Sequence, residues 1–222
     1  MLLQRCTDKT QLMIAVLLAL LVLAGCGGSA GVKSADVPQR TAGPVNEGDG
    51  GEMAPVIPAG ALTLFEQAAA SMAAGDFVDA ELRFKEFLLQ YPEYPGAHVN
   101  LAIIHVSNGN DAAAKSSIDS ALALEPNHPS ALNQMGMLLR RNGKFLEAEA
   151  AYLKAVTVAP EYALAHYNLG VLNELYLQRL ETALQHFQTY QSLVGEDKQV
   201  AKWITDLTRR VAANQRTANV AD

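Results

Sequence analysis

Cysteine is scarce in this chain: its 222 residues include two, Cys6 and Cys26. Two thiols close at most one bridge, so no disulfide framework holds the fold. Aromatic residues make up 6%, with a single tryptophan, too few for the rows of exposed rings that glycan platforms use. Lys and Arg number 17 against 23 Asp and Glu, giving a net charge of −6, and no segment gathers the cations into the stripe that a phosphate backbone requires. Nucleic acid is therefore not an expected partner. No glycine-rich phosphate loop, no His-Glu-x-x-His and no Gly-x-Ser-x-Gly occurs. Glu93, Glu125, Glu147 and Glu149 read as carboxylates on turns and solvated faces, not as an opposed pair in a pocket. The expectation is a protein that is not an enzyme, with no metal and no small-molecule substrate. The longest apolar run, Leu12 to Ala24, is thirteen residues; as a helix it spans about 20 Å, short of the roughly 30 Å hydrocarbon core of a bilayer.

What is present begins with that run. Arg5 and Lys9 precede it and Leu23-Ala24-Gly25-Cys26 ends it, so residues 1–25 read as a secretory signal peptide. The last four residues resemble the bacterial lipobox, in which small residues precede an invariant cysteine. That resemblance implies cleavage before Cys26, a diacylglycerol on its thiol and a third acyl chain on its amino group. This covalent lipid is the one prosthetic group expected, with no other cofactor. Each buried methylene contributes about 0.8 kcal/mol, and two or more chains anchor a protein stably where one does not. By the sorting rule of enteric-type lipoproteins, Gly27 in place of Asp implies the outer membrane, periplasmic side. Cys6 leaves with the signal peptide.

Residues 26–60 comprise the lipidated Cys26 and a stretch from Gly27 to Gly60 rich in Gly, Pro, Ser and Ala, without apolar periodicity. Such a composition buries too little surface to order itself and reads as a disordered tether. Flexible chain of that length has a root-mean-square reach of about 30–35 Å. Pro55 and Pro58 stiffen its end, and Met53, Val56 and Ile57 are its apolar residues.

The rest of the chain repeats. Pro92, Pro126 and Pro160 recur every 34 residues, each closing a helical stretch. In units of 61–94, 95–128, 129–162 and 163–194 the eighth position is always small: Ala68, Ala102, Gly136, Gly170. The twentieth is Ala80, Ala114 and Ala148, then Thr182 beside Ala183; the twenty-fourth is Phe84, Ile118 and Tyr152, with Phe187 one residue late. Small residues where two helices touch and a large one wedged into the gap describe stacked helical hairpins. Gly75 and Gly143 fall inside the first and third hairpins and Asn108-Gly109-Asn110 inside the second, with Asp111 read as a helix cap; Leu175 to Leu180 has no glycine, so the fourth turn must differ. Val200, Trp203, Ile204, Leu207 and Val211 form the stripe of one more amphipathic helix over 195–213, suited to cover the last hairpin, with Trp203 in its core and residues 214–222 as a flexible tail.

These offsets, with His98-Val99-Asn100-Leu101-Ala102 and His166-Tyr167-Asn168-Leu169-Gly170, resemble the tetratricopeptide repeat (TPR) over about residues 61–194. The resemblance implies an all-α, right-handed α-solenoid of about four hairpins plus a C-terminal capping helix. It also implies that the concave groove is lined from fixed positions of each first helix, which here include Phe65, Val99, Ile103, Asn133, Met137, Arg140, Arg141, Tyr167, Val171 and Glu174. Apolar side chains there suit a partner helix or extended peptide, and Asn or Arg would set its register. The family's clamp for the C-terminal carboxylate of heat-shock chaperones needs Lys and Asn where this chain has Phe65 and Ala69, or Val99 and Ile103, so that clamp is not expected. His98, His105, His128, His166 and His186 lack Cys, Asp or Glu at ligand spacing and read as packing or exposed residues. By resemblance, lipoproteins of this build serve as pilots or scaffolds for envelope machines such as pilus secretins; others accompany TonB-type energy transduction, gliding motility or polysaccharide export. The expected partners are envelope proteins, with the membrane reached through the lipid.

Overall fold

A computed structural model describes residues 58–221. Among these residues the secondary structure is nine helices: α1 (Ala59–Ala73), α2 (Phe77–Gln90), α3 (Pro95–Ser107), α4 (Asp111–Leu124), α5 (Pro129–Arg141), α6 (Phe145–Val158), α7 (Ala163–Leu175), α8 (Leu180–Val194) and α9 (Lys198–Ala221). The signal peptide, Cys26 and nearly all of the tether lie outside the described residues. α1–α2, α3–α4, α5–α6 and α7–α8 pair as antiparallel hairpins, each stacked on the next, and α9 packs on α8. The result is an all-α solenoid.

Local chemistry sets the helix ends. Pro95 and Pro129 open α3 and α5, where their missing N–H groups have no intrahelical partner to lose. The side chains of Asp76 and Asn110 accept from the amides of Asp79 and Ala113, and His128 Nδ1 accepts from the Ala131 amide. The cap of α4 is thus Asn110, one residue before the expected Asp111, which sits in the first turn instead. Asp197 Oδ1 accepts from the amides of Gln199 and Val200, at 2.9 and 3.0 Å, and so caps α9. The turns inside the first three hairpins each place a glycine in the left-handed region, Gly109 at φ 73° for example. The fourth lacks that glycine, and Gln178 takes the left-handed conformation at φ 56°, a strained position for a residue with a Cβ.

The small–large pairing is visible in atomic contacts. A Cβ added at Gly136 would lie 2.5 Å from Cε1 of Tyr152, and one at Gly170 would lie 2.6 Å from Cε1 of Phe187. Each ring therefore lies directly on the backbone of the facing helix, and both rings are fully buried. Val200, Leu207 and Val211 of α9 are buried, the first two against α8 and its partners. At roughly 1.5–3 kcal/mol per aliphatic side chain removed from water, they hold the cap in place. α9 runs to Ala221, past the expected end of the capping helix at residue 213 and through most of the segment expected as a tail.

Polar ties at roughly one-repeat separation join neighbouring hairpins. Arg141 Nε lies 3.3 Å from Asp111 Oδ1, and Asn142 Nδ2 donates to Asp111 Oδ2. Arg179 Nη1 donates to Glu149 Oε1 at 2.6 Å, and Lys154 Nζ to the carbonyl of Pro126 at 2.8 Å. Exposed pairs of this kind contribute little each, but they fix how one hairpin is rotated on the next.

Candidate functional site

The ten expected groove residues divide by what they touch. Val99 is 4% exposed, packed with Ala121 and Ala131, and Asn133 is 1% exposed. These two do not face a partner: small neighbouring side chains let the next hairpin close over them. Asn133 Oδ1 accepts from Asn168 Nδ2 at 2.9 Å, while its own amide points to Met137 Sδ at 3.8 Å. A buried amide without such a partner would destabilise the fold by about 1–3 kcal/mol, so this pair aligns the third hairpin with the fourth.

Phe65, Ile103, Met137, Tyr167 and Val171 are half-buried, each packed on one side into the core and open on the other. Phe65 stands edge-on to Phe84 and Phe87 with centroids 5.4 and 5.6 Å away. Tyr167 packs on Tyr190, Phe187 and Trp203 at 5.3, 6.0 and 6.0 Å. Burial, helped by the carboxylate of Asp197, raises the proton affinity of the Tyr167 hydroxyl; Arg140 opposes that rise.

The charged positions separate as sharply. Arg141 is engaged, holding Asp111 and donating to the Val106 carbonyl at 3.2 Å. Glu174 is engaged too, accepting from Arg210 Nη1 of α9 at 2.8 Å. Arg140 differs: among the described residues no carboxylate lies within ion-pair distance, and its guanidinium sits over the ring of Tyr176 at 6.0 Å. Beside it lies the buried Tyr152 hydroxyl, close enough for the Arg140 guanidinium to act on it although no well-aligned hydrogen bond forms. Desolvation pushes that hydroxyl's pKa up to about 12, against the pull of Arg140.

Two features escaped the sequence reading. First, α9 packs on α8 without backbone contact to α7, and the gap is spanned by Glu174–Arg210 and Tyr167–Trp203. A cavity of about 170 Å³ remains there, lined by Val171, Glu174, Leu175, Phe187 and Trp203. Trp203 packs on Phe187 at 5.4 Å as the amphipathic stripe implies, yet it is only half-buried and also walls the cavity. Second, His166 and His186 meet with Nδ1 atoms 3.1 Å apart, and His166 Nε2 lies 3.0 Å from the Pro160 carbonyl. A carbonyl only accepts, so Nε2 of His166 carries a proton, and when both rings are neutral His186 Nδ1–H donates to His166 Nδ1. Burial, with His166 adjacent, lowers the His186 pKa to about 4. The signal was available: the two residues occupy the fourth and twenty-fourth positions of one repeat, where first and second helices touch.

A stack of helical hairpins with a half-apolar inner face defines an α-solenoid of the protein-interaction class. Models of the tetratricopeptide repeat match residues 71–138 and 133–198, together more than half of the chain. The chain belongs to the tetratricopeptide repeat family. Among solved structures it is similar to the pilF protein of Pseudomonas aeruginosa, with a TM-score of 0.62, 22% identity and 69% of each chain covered. It is also similar to the first TPR domain of Spaghetti (RPAP3) bound to the HSP90 peptide SRMEEVD, with a TM-score of 0.50, 18% identity, and 53% of this chain and 95% of that one covered. In sequence, 75 residues are 40% identical to the human protein O-mannosyl-transferase TMTC2. That stretch is 33% of this chain and spans only 9% of the transferase.

Proposed function

We propose that this protein is a non-catalytic scaffold of the bacterial envelope, held on the periplasmic side of the outer membrane by acyl chains on Cys26, which captures a segment of a partner protein in its groove. The observation that carries the reading is the groove itself. Phe65, Ile103, Met137, Tyr167 and Val171 each expose apolar surface along one face of successive first helices, while most of the charged groups nearby are already paired within the fold. A face of that kind gains free energy by covering apolar surface with a peptide or helix. The likeness to pilF supports a role as a pilot for a pilus or secretin machine, and the peptide-bound RPAP3 domain supports capture of a chain segment. This groove has apolar residues where the chaperone-tail clamp has Lys and Asn, so its partner differs from that peptide.

The lipobox supports the anchor, which fixes where capture takes place. Cys26→Ser is expected to block acylation and to leave the signal peptide uncleaved, so that the unlipidated precursor accumulates; a fully processed, membrane-bound variant would overturn the anchor. Cross-linking followed by affinity capture from the native envelope, comparing wild type with Met137→Glu, tests the groove. A secretin or pilus component lost in the variant supports the pilot reading, and unchanged capture by a variant with native circular dichroism removes it.

A further inference from the structure

The chain is acidic, and five of the seven arginines among the described residues, Arg83, Arg141, Arg179, Arg209 and Arg210, each hold a carboxylate, while Arg216 stands exposed on the last turns of α9. Arg140 holds none among the described residues, although it is half-buried, over Tyr176 and next to the buried hydroxyl of Tyr152. A partly desolvated cation with no counter-ion is unfavourable, and a carboxylate from a partner satisfies it. One hairpin further along lies the cavity of about 170 Å³ between α7 and α9, walled by Val171, Leu175, Phe187 and Trp203. An apolar cavity of about 150 Å³ holds a benzene-sized ring, so this one accepts a phenyl or branched aliphatic side chain. Its single carboxylate, Glu174, is neutralised by Arg210.

We propose that these two features form one composite recognition site, for an extended protein segment that places a carboxylate on Arg140 and a bulky apolar side chain in the α7–α9 cavity. The assignment rests on the groove reading above and adds the chemistry of the partner to it. α5 and α7 are neighbouring first helices, so the two subsites stand roughly one helix spacing apart, about 10 Å. Extended chain rises about 3.3 Å per residue, which puts the acidic and the apolar side chain about three positions apart. The capping helix, on this account, supplies one wall of the binding site as well as closing the solenoid.

Trp203 is the only tryptophan in the sequence, so its emission reports occupancy of the cavity directly. The test is selection from a random nonapeptide phage library on the full-length protein in detergent, followed by titration of the selected peptides by calorimetry and by Trp203 fluorescence. The expected result is enrichment of Asp or Glu about three residues from Phe, Leu, Met or Trp, with binding that shifts the emission. Arg140→Gln should weaken these peptides by about tenfold and abolish the preference for an acidic residue; Leu175→Glu should weaken them while sparing that preference. Both side chains lie at or near the surface, and circular dichroism confirms that the variants fold. Peptides without an acidic residue, or acidic peptides indifferent to Arg140→Gln, overturn the proposal. If such peptides are nevertheless lost with Ile103→Glu, the groove reading stands and only the composite site falls. An empty selection, or binding that none of the three substitutions alters, removes both.

Discussion

Replacing Gly170 by alanine sets two large effects against each other, and the structure says which one wins. Alanine in a helix interior is favoured over glycine by about 1 kcal/mol, so on propensity alone the variant is more stable. The new methyl, however, would lie 2.6, 2.7 and 2.9 Å from three ring atoms of Phe187, which is fully buried and cannot swing into solvent. Moving the ring, or α8 with it, by the ångström needed is an overpacking change at or above the upper end of the usual range of about 1–3 kcal/mol. The net expectation is destabilisation by about 1–3 kcal/mol. For a domain of this size 1 kcal/mol shifts Tm by about 2–4 °C, so calorimetry should show a fall of about 3–10 °C. The mechanism is tested by a double-mutant cycle: Phe187→Leu shortens the offending ring, and the double variant should recover at least half of the Gly170→Ala loss. The first hairpin sharpens the test, since there Ala68 already stands at the equivalent position with Phe84 as its large residue. A Gly170→Ala variant as stable as wild type would mean that α7 and α8 simply separate to that spacing, and the steric argument would be refuted.

Two further outcomes follow from the polar contacts. His186 is held neutral in the folded state with its pKa lowered to about 4, so the unfolded chain binds the extra proton first as pH falls through about 6.5, and stability is lost between there and 4. For a partly exposed ring the loss is about 1 kcal/mol at pH 5, after allowing for solvent screening; the drop in Tm from pH 7 to 5 should be about 2–4 °C smaller in His186→Gln than in wild type, and an equal drop would contradict the assignment. Asn168→Ala strips the donor from the buried carbonyl of Asn133 and should destabilise by about 2 kcal/mol in urea unfolding, with Asn133→Ala adding much less than its own single-mutant effect in the double variant.

The 34-residue spacing in the sequence already implied the hairpins, and it did so through pairs such as Gly136 with Tyr152, whose sizes make sense only if one packs on the other. The family resemblance assigned Val99 and Asn133 to the groove, and their burial keeps them out of it. Periodicity states which face a residue points toward, whereas burial depends on the neighbour one repeat away, Ala131 beside Val99 and Asn168 beside Asn133. Arg140 and Arg141 are adjacent and chemically identical in sequence, yet one is held by Asp111 and the other is not, a difference set by how one hairpin is rotated on the next. The cavity beside Trp203 had no sequence signal, because it arises from the absence of backbone contact between α7 and α9. His186 was legible only in hindsight of the repeat, as the residue that faces position four across the hairpin.

The central claim is that the partner segment lies in the groove and not elsewhere on the solenoid. A photo-reactive amino acid placed at Leu175 at the groove or at Leu146 on α6 tests it most directly, because the two positions are almost equally exposed, at 64% and 63%, so accessibility does not bias the comparison. Irradiation of the native envelope should yield one discrete adduct from position 175, lost when Arg140→Gln is added, and none from position 146. The same adduct from both positions, or from 146 alone, would contradict the account.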